Sequence, residues 1–316
     1  MLPSSLLGRP LSSLLSNGNA NMSALNIEFD IPVATYAVPH SNALLRIWGL
    51  SLTDLGSANN LTADLDNPVN IEVSAGFSKG LPLANPQQQG LILRGAIYQA
   101  FGNWIGTEQT LDILFRPASG TPNDPINFSF QWPAGTPLKD AIQQVLGIAF
   151  PVQKIVVNIS PSLVLGYTET GYYQSAQQFA DYINTISKAI IGGTSYIGVH
   201  ISTDGDTVQV WDGTVVPTAS AAIQISPSDL VGQPTWIDPN IIMVKLQLRG
   251  DLAINDLIYL PPTLVTTTSG ALIRFQDKTS FSGNFLITEM QHYGNFRQPD
   301  AMSWNTTIWA SKSPNG

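Results

Sequence analysis

Short runs in which large apolar residues return at every second position, cut by Gly, Pro, Asn and Ser, constrain this chain more than anything else in it. A period of two buries one face of a strand and leaves the other wet, and no helix satisfies it. Asn284 to His292 alternates in this way, and Thr306 to Ala310 does so again beyond the Gly294 to Ala301 connection. The two read as a hairpin half buried in a core. Upstream, Ala43 to Leu50, Asn70 to Phe77, Leu91 to Gln99 and Thr110 to Pro117 are comparable runs, at a spacing that suits an antiparallel sandwich or barrel. Pro82 and Pro86 with Gln87 to Gln89 mark a loop between them.

The middle of the chain changes period. Thr136-Pro137 can cap and start a helix whose Leu138, Ala141, Ile142 and Val145 share a face, with Gly147 near its end. Ser175 with Gln178 reads as a capping box ahead of Phe179, Tyr182, Ile183, Ile186 and Ile190, and Gly192-Gly193 stops that helix. A hairpin follows, Tyr196 to Thr203 and Thr207 to Trp211, joined through Asp204-Gly205. The expected layout is an N-terminal arm over 1–23, a first β block over 24–117, an α/β insert over 118–218 and a second β block over 219–316. No residue-level repeat relates the two β blocks. The arm repeats Ser-Ser-Leu-Leu at 4–7 and 12–15, and its Pro, Gly and Asn content argues against an independent fold. Its leucines need somewhere to dock, or else form a loose tail.

At 316 residues the chain has room for about two domains and sizeable cores. Charged residues make up 11% against 43% hydrophobic, where an average soluble chain carries roughly 25% charge. Such a composition fits a subunit whose faces are covered by partners, or simply an apolar protein. The net charge of −8, from 14 Lys and Arg against 22 Asp and Glu, argues against binding nucleic acid by phosphate neutralisation. With no cysteine, disulfides, thiolate metal sites and cysteine nucleophiles are all excluded, and assembly in a reducing cytoplasm is compatible. Pro3, Arg9 and Pro10 break the early Leu runs, so no signal peptide is read there, and no segment approaches the roughly 20 apolar residues of a membrane span.

The chemical motifs are sparse. Gly76-Phe77-Ser78-Lys79-Gly80 matches the nucleophile-elbow pattern, but that elbow needs a helix directly after the serine, and Leu81-Pro82-Leu83-Ala84-Asn85-Pro86 cannot supply one. The three histidines, His40, His200 and His292, have no ligand partner at helical metal spacing. Arg249-Gly250-Asp251 follows a Leu-rich run and reads as a turn rather than an integrin signal. Asp64 with Asp66, and Asp204 with Asp206, sit where Asp serves turns. Trp48, Trp132, Trp211 and Trp309 fall within or at the ends of strand patterns, where packing outweighs sugar stacking. No catalytic, cofactor-binding or metal-binding residue is assigned.

The order Gly283, Phe285, Ile287, His292, Gly294, Arg297, Trp304, Thr306, Ala310 resembles the closing hairpin of baseplate hub proteins from contractile phage tails, a family related to the hub portion of type VI secretion spikes. A second segment is similar to the same family: Ser226-Pro227-Ser228-Asp229-Leu230-Val231-Gly232-Gln233-Pro234, then the strand Ile241 to Leu248, then Ile254 to Leu260. It departs from the family at the turn, where Asn255-Asp256 stands for Gly-Asp, which Asn tolerates because it accepts positive φ. The resemblance implies a mainly β fold, two tube-like antiparallel modules flanking a small α/β region. It implies a non-enzymatic homotrimer at the virion tail baseplate, without cofactors, joining the tail tube or a tube-initiator protein to the central spike and adapting six-fold to three-fold symmetry. Other baseplate proteins and the tape measure protein are further expected partners, with DNA passing only through the lumen. The rival expectations are a receptor- or carbohydrate-binding β module of a virion and, with less behind it, a hydrolase.

Overall fold

The computed structural model describes residues 11–33, 43–58, 69–77, 85–117, 128–151, 153–193, 196–204, 207–215, 222–238, 240–260, 281–295, 297–298, 300 and 302–312. Five strands precede the insert: β1 (Asn26–Val33), β2 (Ala43–Trp48), β3 (Asn70–Ala75), β4 (Gly90–Ile105) and β5 (Glu108–Pro117), with the short helix α1 (Leu52–Ala58) after β2. The insert holds β6 (Phe128–Trp132), α2 (Leu138–Ala149), β7 (Lys154–Asn158), β8 (Glu169–Tyr173), α3 (Ala176–Ile191), β9 (His200–Asp204) and β10 (Thr207–Trp211). Then come β11 (Ile223–Gln224), β12 (Thr235–Asp238), β13 (Ile241–Gln247), β14 (Leu257–Leu260), β15 (Gly283–Asn295) and β16 (Trp304–Lys312). The protein is thus predominantly β-sheet with a smaller α/β region.

Strands from before and after the insert share one eleven-stranded sheet. Its path runs β12-β13-β16-β15-β1-β2-β5-β4-β3, with β14 also on β15 and β11 on β14. The path is open, ending on β12 and β3, and among the described residues no barrel closes. One apolar core serves all of it, from Phe29, Ile47 and Phe115 to Val244, Ile287 and Ile308. The alternation read from the sequence is what builds it: β2 and β13 bury every second residue.

The two strand sets follow one plan that their side chains do not advertise. The first is ordered β1-β2-β5-β4-β3 and the second β12-β13-β16-β15-β14, every neighbouring pair in both being antiparallel. Their bulges coincide: β4 slips against β5 between Ile97 and Gln99, and β15 slips against β16 between Ile287 and Glu289. With those bulges superposed, the Ile97 N–H to Val69 carbonyl bond (2.8 Å) matches that from Ile287 to Asp256 (3.0 Å). In the same register Gly102 matches His292 and Trp104 matches Gly294.

The insert has its own core, around Phe128, Trp132, Ile142, Phe179, Ile183 and Val208. A three-stranded sheet, β7-β10-β9, and a two-stranded one, β6-β8, pack with α2 and α3. Asp212, at the end of β10, is buried and accepts four hydrogen bonds: from the Ser160 and Thr214 N–H groups (2.8 and 3.0 Å), Tyr196 Oη (2.9 Å) and Thr214 Oγ1 (2.6 Å). That many donors hold a buried carboxylate that would otherwise be costly. Trp211 lies in the core of the large sheet, so the insert joins it there.

Local details differ from the sequence reading. The Thr136 hydroxyl bonds Pro133 O (2.8 Å) instead of capping α2, whose N-cap is Pro137. Ser175 does cap α3, accepting from Gln178 N–H (3.2 Å), while the Gln178 side chain reaches back to Gln174 N–H (3.0 Å) and not to the cap. Strand β9 begins at His200, four residues after the expected start, and β4 runs on to Ile105, past the expected Gln99. Helix α1 is only 7 residues long, too short for its periodicity to stand out in the sequence. Asn255 takes φ 70°, the only positive-φ non-glycine among the described residues, as its turn requires.

Gly294 has no room for a side chain, because a Cβ there would run into the Phe29 ring, which pairs with it across β1 and β15 and packs edge-on to Trp304. Gly294→Ala should therefore lower stability by about 1–3 kcal/mol through overpacking. In a Phe29→Ala background the same change should cost much less, as read from urea unfolding midpoints of the four-protein cycle.

Candidate functional site

The residues of the closing hairpin meet across strands. His292 is opposite Thr306, and Gly294 is opposite Trp304. The His292 ring is buried, with Nδ1 at 2.9 Å from Thr306 Oγ1. Thr306 Oγ1 also accepts from the Arg249 N–H (3.0 Å). Arg297 donates from Nη2 to the Ala24 carbonyl, tying the hairpin's connection to the segment that leads into β1. These side chains thus knit β1, β13, β15 and β16, and burial drives the His292 pKa down to about 4, keeping the imidazole neutral.

Arg249-Gly250-Asp251 is a turn whose arginine faces inward. Its guanidinium is buried, with Nε and Nη2 on the two Asp251 oxygens (2.9 and 2.6 Å) and Nη1 3.5 Å from Asp229. The lead-in and the closing strand therefore converge on the buried Arg249, since Asp229 belongs to the one and Thr306 to the other. Gly250 sits against Gly90 so closely that a Cβ on either would meet the other's backbone, and its N–H donates to Gln88 O (2.8 Å). This contact brings the second strand set onto the first.

His200 lies in the insert, stacked on Trp211 at 4.8 Å with Nε2 3.2 Å from Ile197 O. Desolvation lowers its pKa to about 4 as well. It is far in the chain from His292 and shares no ligand set with it; among the described residues no group of three or more His, Asp or Glu could hold a metal. Trp132 and Trp211 are fully buried, while Trp48 lies under the Arg46 guanidinium (5.8 Å). Ser78, His40, Asp64, Asp66, Asp206, Leu6 and Leu7 fall outside the described residues. Of the arm's described leucines, Leu11 packs against the core of the large sheet and Leu15 is exposed. No described helix is long and apolar enough to cross a membrane.

The surface offers a different set of residues, which the sequence reading missed. Trp104 and Ile105, at the tip of the β4–β5 hairpin, are 63% and 78% exposed, and Ile237 on β12 is 49% exposed. On the side of β4 facing β3, backbone pairing stops near Ile97, which leaves the edge from Ala100 to Ile105 unpaired among the described strands. Strand β12 is likewise bonded on one side only. Bare edges carrying large apolar side chains are pairing surfaces. The signal was faint in sequence, because Gly102-Asn103 looks like a turn in the middle of what is one strand.

No family model and no curated protein matches this chain. Among solved structures it is similar to the tail protein from Neisseria meningitidis MC58, with 10% identity, a TM-score of 0.48 and coverage of 91% of this chain and 96% of that one. It is similar also to the 43 kDa tail protein of prophage MuSo2 from Shewanella oneidensis (8% identity, TM-score 0.49, 92% and 96% covered). A third is an E. coli component of the type VI secretion system described as structurally similar to T4 bacteriophage tail proteins (10% identity, TM-score 0.48, 92% and 75% covered). The likeness is one of general chain course, and no residue role passes from those proteins to this one.

The buried histidines set a pH dependence. An unfolded histidine takes up a proton below about pH 6.5 whereas these two stay neutral in the fold to about 4. Their stabilisation is thus complete above about pH 6.5 and is lost as pH falls through that window, by ~2 kcal/mol per histidine at about pH 5. His292→Gln should shrink the fall in melting temperature between about pH 7 and pH 5 relative to the unchanged protein, as measured by calorimetry.

Proposed function

We propose that the chain is a structural hub of a contractile phage-tail baseplate or of a phage-derived injection machine. One observation carries the reading: the same five-strand order, with the same bulge, occurs twice in one chain. Three such chains around an axis present six alike units, which is what an adaptor between a six-fold tube and a three-fold spike requires. The resemblance of the closing hairpin and the lead-in to hub proteins supports the same role, and the two segments sit where that role needs rigidity, on the network that fastens one strand set to the other.

In this reading the two strand sets are the tube-like modules of the ring, and residues 118–218 widen each subunit on the spike side. The partners are the tail tube or its initiator, the central spike and neighbouring baseplate proteins. The low charge content suits faces that pack permanently, because such interfaces are depleted in charge at their centres. The net charge of −8 suits a channel for DNA, since a basic wall would hold a sliding polyanion through counterion release. The role is one of assembly rather than catalysis, in a virion tail put together in the host cytoplasm.

Cryo-EM of the particle, or native mass spectrometry of the chain co-expressed with its spike, should show three copies around an axial lumen. A single copy bound at the particle's periphery would remove the hub reading and favour a receptor-binding role.

A further inference from the structure

The hairpin of β9 and β10 turns one face to the insert's own core and the other to the large sheet. Ile201, Val208 and Val210 belong to the insert's core, while Trp211 belongs to the core of the large sheet. His200 is opposite Trp211 and Ser202 is opposite Gln209, so by the alternation of strand side chains these four share the face turned to the large sheet. Strand β9 lies against β1 and β4 of that sheet. A seam between two apolar cores is a costly place for polar atoms. This one holds three buried atoms that meet no hydrogen-bond partner among the described residues: His200 Nδ1, Ser202 Oγ and Trp211 Nε1. Ser202 and Trp211 are 0% and 1% exposed, so bulk solvent does not reach them.

What can satisfy these atoms is limited by what each one offers. His200 Nε2 lies 3.2 Å from the Ile197 carbonyl, which only accepts, so in the neutral ring Nε2 carries the proton and Nδ1 is a bare acceptor. The Trp211 indole N–H only donates, and the Ser202 hydroxyl does both. An anion would set negative charge against Nδ1, a metal ion would face the Trp211 N–H, and an apolar filling would leave all three atoms unpaired. The site calls for a small neutral molecule that donates and accepts at once. Buried water is such a molecule, and it typically makes about three hydrogen bonds to polar groups of this kind.

We propose that ordered water occupies the seam between the β9–β10 hairpin and the large sheet, donating to His200 Nδ1, accepting from Trp211 Nε1–H and bonding Ser202 Oγ. The insert is then fastened to the sheet in two ways, by the dry packing of the Trp211 ring and by a wet strip beside it. The water accounts for polar side chains at two positions of β9 that a dry seam would fill with carbon.

A crystal structure or cryo-EM map of the whole chain, fine enough to show solvent, should place water within about 2.7–3.2 Å of at least two of the three atoms. In solution the Trp211 indole proton should show an NOE to a water that stays bound for longer than the protein takes to tumble. That cross-peak is identified as the one lost in Trp211→Phe, or by direct resonance assignment if the variant does not fold. A seam without solvent density and without the NOE overturns the proposal. So does a map in which a protein side chain, or an ion, fills the place of the water.

Discussion

The pairing of β1 with β15 is the contact on which the rest of this structure depends. It brings residues some 260 positions apart into register, Glu28 with Asn295 and Val33 with Met290. Ordering so long a loop is entropically unfavourable, though the cost grows only with the logarithm of length. The contact persists because it satisfies two rows of backbone groups at once and because side chains add to it, Gln291 donating to Asp30 (2.7 Å) and Asn295 to Glu28 (3.2 Å). Everything between the two strand sets must leave and re-enter the sheet without disturbing it. The insert does so by building its own core and touching the large sheet through Trp211.

That arrangement makes the sheet continuous across two copies of one plan, and continuity has a consequence for polarity. Among the described residues, this sheet built from a repeated unit ends on edges that differ, β12 at one end and β3 with the distal half of β4 at the other. Two unlike edges cannot be satisfied by a two-fold contact that pairs each with itself. The network around the buried Arg249, which joins it to Asp229, Asp251 and Thr306, together with the Gly90–Gly250 approach, holds the two units at one fixed relation. A fixed relation between units is what a rotationally regular assembly requires of its parts.

The repeat also shows how far side chains can drift while a backbone plan stays put. His292 stands where Gly102 does, Gly294 where Trp104 does and Trp304 where Gln109 does, so the residues that are most informative in one unit have no like residue in the other. In a sheet the main chain supplies the pairing and the bulge supplies the offset. Core residues need only be apolar and of compatible volume, which leaves no identity for a sequence comparison between the two blocks to find.

The strands with clear alternation, such as β2, β5, β13 and β16, the α/β change of period in the middle, the left-handed turn at Asn255 and the glycines that end α3 were legible in the amino-acid order, because each follows from local periodicity or from a backbone conformation that few residues tolerate, whereas β1, β6, β7, β8 and β12 were not. The order of the closing hairpin was legible too, but its reason was not: His292 matters through Thr306 and Gly294 through Phe29, partners that only the folded sheet supplies. Nor could the sequence reveal that Arg249 is buried, that β4 runs straight through Gly102-Asn103, or that the two blocks repeat. Those are matters of which strand lies beside which, and strand pairing is made by backbone groups that every residue except proline carries alike. Local sequence therefore determined the character of the strongly periodic segments, and tertiary structure alone decided which strand edges pair with which.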